Sequence, residues 1–228
     1  MKILMLVISS DTFPVYRYHR EVWRTFMKSH PDIDCVFLES RPGVFVPTLT
    51  SDTLTLRGLE RYGTILRKTI EALEYFLSRR HYDYVVRTNL SCVWDFKELL
   101  RYLDPLPRER VYAGQVGVNP DTGLEFASGA GFILSADVAR TLVANQQIAF
   151  TVSAFDDVAV AKALLASGLR PTPLPRVDFF SLRHYDAHHD KIPPGMFHYR
   201  VKHEDLRGDR MEEPAIMSRL LREHIYAS

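Results

Sequence analysis

Cysteine, charge of one sign and long apolar runs are all scarce in this chain, and each scarcity removes a class of protein. Of 228 residues only two are cysteine. Cys35 and Cys92 stand in separate apolar segments without CxxC spacing, so neither a disulfide framework nor a thiolate zinc site is expected. Lysine and arginine total 29 against 28 aspartate and glutamate, a formal net charge of +1. No global field therefore draws in nucleic acid or an acidic membrane surface, and any anionic ligand must be met by a local site. The first apolar run, residues 2–8, is too short to span a bilayer and lacks a signal-peptide cleavage pattern. The expectation is a cytoplasmic protein with no membrane span. No internal repeat, low-complexity tract or linker interrupts the sequence.

What is present is a core and an alternation. Hydrophobic residues make up 46% of the chain, enough for one large domain over residues 1–228. Residues 2–8 read as a strand buried on both faces, followed by the polar Ser9, Ser10 and Asp11. Val15, Tyr18, Val22, Trp23, Phe26 and Met27 then recur at helical spacing, with Pro14 in the first turn and Trp23 assigned to the core. Residues 35–38 form a second strand, and residues 41–49, with two prolines and a glycine, a loop or irregular edge. Leu59, Tyr62, Leu66, Ile70, Leu73 and Leu77 mark one long helix. Residues 84–86 give a third strand, Asp95 an N-cap, residues 111–116 a strand, 119–123 a turn and 132–134 a strand. Ser135 caps the next helix, and Asp156 and Asp157 open another that closes at Gly168. Residues 177–181 are a strand, 184–190 a His-rich loop, 197–202 a basic strand, and a last helix starts near Pro214. Strands alternating with helices predict an α/β layer structure.

Several of these segments carry a family resemblance. His19-Arg20-Glu21-Val22-Trp23 and Thr64-Ile65-Leu66-Arg67-Lys68-Thr69 are similar to two early segments of the fringe-like β1,3-glycosyltransferases of family 31. Tyr84-Val85-Val86-Arg87-Thr88 resembles that family's donor-site strand. Ser128-Gly129-Ala130-Gly131-Phe132-Ile133-Leu134-Ser135 resembles its small-residue stretch, and Phe155-Asp156-Asp157-Val158 its (E/D)DV motif. The matches follow the family's order over roughly the first three quarters of the chain. The resemblance implies a GT-A fold, with a mostly parallel central sheet flanked by helices. It further implies sugar transfer from a nucleotide sugar, a UDP-sugar above all, to a glycan or small-molecule hydroxyl. One departure is plain: where the family has its metal-binding DxD triplet, this chain has Asn89-Leu90-Ser91. An amide and a hydroxyl suit a hard divalent ion poorly, which puts the family's Mn²⁺ in doubt.

Such a transfer needs a base for the acceptor hydroxyl and positive charge for the departing diphosphate. The motif position makes Asp157 the base and Asp156 its hydroxyl-orienting partner, which implies inversion; the opposing reading makes one of them only an N-cap. Asp95 is read as a cap and not a ligand. His198, Arg200 and Lys202 would share one face of a strand and could meet the diphosphate, with His198 the one residue considered for a metal. The opposing reading is a solvated basic edge strand. By position in the resembled fold, Ser9, Ser10, Asp11, Arg87, Asn89 and Ser91 fall to the donor site, and Ser128 and Gly129 to the sugar or acceptor pocket. Two other readings stand beside this one. The lost DxD suits an inactive GT-A-like domain that only binds a nucleotide or a partner. His184, His188 and His189, with Asp186 and Asp190, could instead hold zinc in a metal-dependent hydrolase, although the HExxH signature is absent.

Overall fold

The computed structural model describes residues 1–152, 155–203 and 210–226. In chain order the strands are β1 (Ile3–Ile8), β2 (Ile33–Arg41), β3 (Thr48–Leu49), β4 (Thr53–Arg57), β5 (Tyr84–Asn89), β6 (Cys92–Trp94), β7 (Tyr112–Val118), β8 (Glu125–Ser135), β9 (Thr172–Pro173), β10 (Val177–Phe179) and β11 (His198–Val201). The helices are α1 (Pro14–Phe26), α2 (Ile65–Leu77), α3 (Phe96–Leu103), α4 (Ala136–Ala144), α5 (Gln146–Ala149), α6 (Asp156–Leu165), α7 (Leu182–His188) and α8 (Glu212–Leu220). They form two compact units. Among the described residues no helix is long and apolar enough to cross a membrane.

The first unit comprises Met1–Ser10, Pro31–Asn89 and Pro107–Leu174. Its sheet has eight strands in the order β3-β4-β2-β1-β5-β8-β7-β9. β4, β2, β1 and β5 pair in parallel, β8 is antiparallel to both β5 and β7, and β3 is antiparallel to β4. Only β3 and β8 run against the rest, so the sheet is mostly parallel, with helices α2, α4, α5 and α6 in the same unit. β1 is apolar without alternation and fully buried, as a central parallel strand must be. Several boundaries differ from the sequence reading. β2 continues through Glu39, Ser40 and Arg41, because its ladder to β4 extends to Arg41 and Arg57. β4 was not foreseen, yet its Thr-Leu-Thr-Leu alternation buries Leu54 and Leu56 on one face. α2 begins only at Ile65; Gly63 lies in a preceding 3₁₀ turn, Tyr62–Thr64, and Leu59 stands outside the helix. β8 takes in the small residues 128–131. Gly114 of β7 permits close pairing there, since a Cβ would lie 2.6 Å from that of Ala127, and the ladder shifts register beside it. Ser135 stands at the N-cap of α4 without capping it: its hydroxyl donates to Asp137 Oδ1 (2.5 Å) and accepts the Val111 N–H (2.9 Å).

The second unit comprises Asp11–His30, Leu90–Leu106 and Pro175–Ser228. A three-stranded sheet, β10-β11-β6, is accompanied by α1, α3, α7 and α8. Trp23 is fully buried, as expected, and its indole N–H donates to the Leu90 carbonyl at 2.9 Å. Asp95 caps α3, accepting the Lys97 and Glu98 N–H groups at 2.9 and 3.1 Å. The His-rich segment is a helix and not a loop, because Ser181 Oγ accepts the His184 N–H (3.1 Å) and caps α7.

Candidate active site

Asp156 and Asp157 form the first turn of α6, where the helix dipole favours negative charge. Neither is the N-cap; that position belongs to Phe155, which makes no side-chain cap. The two carboxylates have different partners. Asp156 Oδ2 accepts from Arg87 Nη2 at 2.5 Å, with the side chains only 10% and 2% exposed. Asp157 Oδ2 accepts the Gly129 N–H at 2.8 Å, and its Oδ1 lies 3.0 Å from the Val158 N–H. Burial raises the Asp156 pKa, Arg87 opposes that rise and Asp157 adds to it. Arg87 Nε and Nη1 are buried without hydrogen-bond partners, and the guanidinium carbon lies 5.7 Å from the Phe132 ring centroid. Only glycine fits at 129 without displacement, since a Cβ would stand 3.2 Å from both Arg87 Nη1 and Asp157 Oδ2. Ser128, one residue earlier on β8, is half-buried. Sequence reading named the Asp156-Asp157 pair, Arg87 and Gly129 separately from one another; the β5-β8 pairing and the start of α6 bring them together.

Asp156 lines a small open pocket together with Tyr62, Gly63, Leu66, Val152, Phe155 and Ala159. Tyr62 and Phe155 are 64% and 51% exposed. Their rings meet edge to face with centroids 6.4 Å apart. Sequence reading counted Tyr62 as core and gave Phe155 no role beyond the motif. The exposed pair emerges because the 3₁₀ turn precedes α2 and carries Tyr62 off its apolar face.

A second cluster occupies the carboxyl ends of β1 and β2. β1 lies between β2 and β5, so chain order reverses there, and crevices at such a switch point are where open α/β sheets bind ligands. Ser9, buried, donates its hydroxyl to Glu39 Oε1 at 3.1 Å. Arg41 Nη2 reaches Glu39 Oε2 at 3.2 Å. Beneath them Lys68 Nζ donates to the Ser9 carbonyl (2.8 Å), the Leu38 carbonyl (3.4 Å) and Glu60 Oε2 (2.8 Å). Glu60 also accepts the Ser40 N–H. Burial lowers the Lys68 pKa while Glu60 supports its charge. Glu39, Glu60 and Lys68 escaped the sequence reading as site residues. The signal for Glu39 was an acidic residue at the end of the second strand, hidden by ending that strand at residue 38. Ser10 and Asn89 close the ends of β1 and β5 and are half-buried. Asp11, exposed and in the second unit, pairs with Arg20.

In the second unit the Ser91 carbonyl accepts the Val201 N–H at 2.7 Å. His198 is fully buried and stacks on Trp94, ring centroids 3.9 Å apart. Neither ring nitrogen has a hydrogen-bond partner, and Arg200 Nε is likewise buried and unpaired. Burial, with Arg176 and Arg200 adding to it, holds the His198 pKa well below the usual histidine value. Arg176 is held by Asp178, at 2.5 and 2.8 Å. The solvated edge-strand reading is overturned, because β11 is the middle strand of its sheet. Alternation joins His198 to Arg200 but does not reach Lys202, which lies past the end of β11 and is half-buried. Burial and the neighbouring Arg200 lower its pKa. Asn89 of the first unit and Ser91 of the second offer an amide and a hydroxyl, groups that suit Mn²⁺ poorly.

The proposed zinc grouping of His184, His188 and His189 with Asp186 and Asp190 is not formed. His184 and His188 stack on each other (4.4 Å), His188 Nδ1 bonds the His184 carbonyl at 2.9 Å, and Asp186 pairs with Arg219. Among the described residues, metal-ligand spacing falls instead on His189, Glu223 and His224.

No protein-family model matches the chain, and no curated protein matches it. Solved structures do. A glycosyltransferase involved in glycosylation of the major capsid of PBCV-1 superposes with TM-score 0.56 at 12% identity, over 95% of this chain and 98% of that one. The galactosyltransferase LgtC, in complex with donor and acceptor sugar analogues, gives 0.53 at 12% identity, over 96% and 95%. The inositol-1-phosphate CTP transferase from T. maritima gives 0.50 at 8%, over 97% and 96%. At these identities the likeness is one of fold: the chain has the fold shared by GT-A glycosyltransferases and nucleotidyltransferases.

Proposed function

We propose that this protein is an inverting glycosyltransferase that moves a sugar from a UDP-sugar to a hydroxyl of a glycan or small-molecule acceptor. The observation that carries the reading is a buried carboxylate, Asp156, facing an open pocket with two exposed aromatic rings at its mouth. Apolar faces of a sugar ring pack on such aromatics, and the carboxylate fixes a hydroxyl. The family 31 resemblance at Phe155-Asp156-Asp157-Val158 supports inversion.

The geometry favours exchanging the roles expected of the two aspartates. Asp157 has both oxygens engaged by backbone N–H groups and acts as the positioning residue, tied to Gly129. Asp156 lines the pocket, and its raised pKa suits a base better. As the acceptor oxygen bonds to the anomeric carbon, its proton passes to Asp156. The bond from that carbon to the diphosphate oxygen breaks, and the electron pair leaves with UDP. Ser9, Ser10, Asn89 and Glu39, at the ends of β1, β5 and β2, suit the ribose and base by their hydroxyl, amide and carboxylate groups. Ser128 belongs to the sugar pocket on this reading. Arg200 and Lys202 of the second unit are a separate part of the proposal, as the cationic groups that meet phosphate without a metal; His198, fully buried and held well below the usual histidine pKa, is not one of them.

The test is a panel of UDP-sugars with and without acceptor glycans, read as UDP release and as nucleotide binding. Asp156→Asn lowers turnover by about 10²–10⁴-fold with donor binding retained, and Arg200→Ala lowers turnover as well. Wild-type rates in Asp156→Asn, or no binding of any UDP-sugar, overturn the assignment. Binding without turnover returns the inactive-domain reading, and pyrophosphate release from a nucleoside triphosphate makes the chain a nucleotidyltransferase.

A further inference from the structure

The second unit gathers a set of ligand-type side chains of its own. α7 is followed by a 3₁₀ turn, His189–Lys191, and α8 runs into a π-helical turn, Leu221–Ile225. π turns are rare and occur often at functional sites. Here the turn carries Glu223 and His224, and one ligand atom from each of His189, Glu223 and His224 lies within 4.8 Å of the other two. His189 Nδ1 is 4.0 Å from Glu223 Oε2. His224 Nε2 is buried and has no hydrogen-bond partner, a cost that a bound ligand would remove. The surrounding residues hold this set in place. Tyr185 stacks on the His189 ring (5.0 Å, 11° between planes) and donates its hydroxyl to Glu223 Oε2 at 2.9 Å. Arg219 donates to Glu223 Oε1 at 2.9 Å. It also reaches Oε2, more distantly at 3.5 Å.

We propose that His189, Glu223 and His224 bind a divalent transition-metal ion of borderline softness, Zn²⁺ above all. Two imidazole nitrogens and one carboxylate oxygen are a zinc donor set that leaves a fourth position for water, whereas Mg²⁺ and Ca²⁺ prefer all-oxygen shells. Metal–ligand bonds of about 2.0–2.1 Å require the three atoms to close by roughly 1 Å, within reach of side-chain torsions. Tyr185 supplies the outer hydrogen bond that orients a ligating carboxylate. The ion would tie the turn after α7 to the end of α8, so its role is to fasten this unit, apart from the proposed sugar transfer.

Tag-free, metal-stripped protein titrated with ZnCl₂, and with CoCl₂ for its visible absorption, tests the site. One ion binds per chain. His189→Ala and His224→Ala each weaken binding at least about 10-fold, Tyr185→Phe weakens it about 10-fold, and His184→Ala leaves it unchanged. In the wild-type protein, where no variant need fold, Zn²⁺ shields His189 and His224 from diethyl pyrocarbonate and leaves His184 reactive. Absence of Zn²⁺ binding overturns the site, as does undiminished binding in a folded His189→Ala/His224→Ala variant or shielding confined to His184 and His188.

Discussion

Arg87 shows most clearly what a single side chain does in this protein. It is buried, carries a full charge and has one carboxylate partner, Asp156, at 2.5 Å. Replacing it by methionine leaves the Asp156 charge uncompensated, which costs about 3–5 kcal/mol at neutral pH. The Asp156 pKa is already above its ordinary value, and without Arg87 it rises further. A carboxyl with a raised folded-state pKa favours folding below its unfolded value, and that contribution is lost as pH rises through the folded value. The stability gap between Arg87→Met and wild type should therefore narrow towards acid in urea titrations, and the acid limb of the pH–rate profile should move upward. Glu213 has the opposite sign. Burial pushes its pKa up, but His19, Arg210 and the His203 N–H more than offset that and hold it at about 2. Its contribution, about 3 kcal/mol, is present above pH 4.5 and is lost as pH falls towards 2; Glu213→Gln should flatten acid unfolding over that window. Arg87 and Asp156 were each legible in the sequence, through position and motif. Their pairing was not, because it depends on where β5 and the start of α6 meet in space. His198 and Arg200 were legible as a pair on one strand face, but their basic surroundings pointed to an edge strand. Burial of such a run is decided by pairing on both sides, which no local pattern reveals.

Elements were read best where their punctuation was strong. Asp95 before α3 and Gly168 after α6 behave as the sequence predicts, the first as a cap and the second with φ +70°. Asp95→Ala should cost about 1 kcal/mol in equilibrium unfolding while Asp95→Asn costs far less, since both Asp and Asn caps accept the same N–H groups. Where punctuation was weak, reading failed. β4 carries only five residues and follows a loop rich in turn formers, so its alternation was passed over. α7 was masked by its histidines, although Ser181 stood ready to cap it. β8 was shortened because small residues 128–131 look like a turn; in a sheet they allow neighbouring strands to approach closely, as Gly114 does opposite Ala127.

For the molecule as a whole, the α/β class followed from alternating apolar runs and helical periodicity, the mostly parallel sheet followed from the family resemblance, and the solved structures share that fold. The division into two compact units had no sequence mark, because the chain passes repeatedly from one to the other without a linker. The β1 and β2 ends in the first unit have a further consequence. Lys68 holds both strand ends through the Ser9 and Leu38 carbonyls, so on the proposed function the donor nucleotide meets a floor already shaped by folding. Nucleotide association should then be a single kinetic step. In stopped-flow mixing, the signal should follow one exponential whose rate rises linearly with UDP concentration, without the plateau that a preceding or following isomerisation imposes. Lys68→Met, which unfastens the two ends, should introduce that plateau, making the speed of ligand capture a property of a lysine that need never touch the ligand.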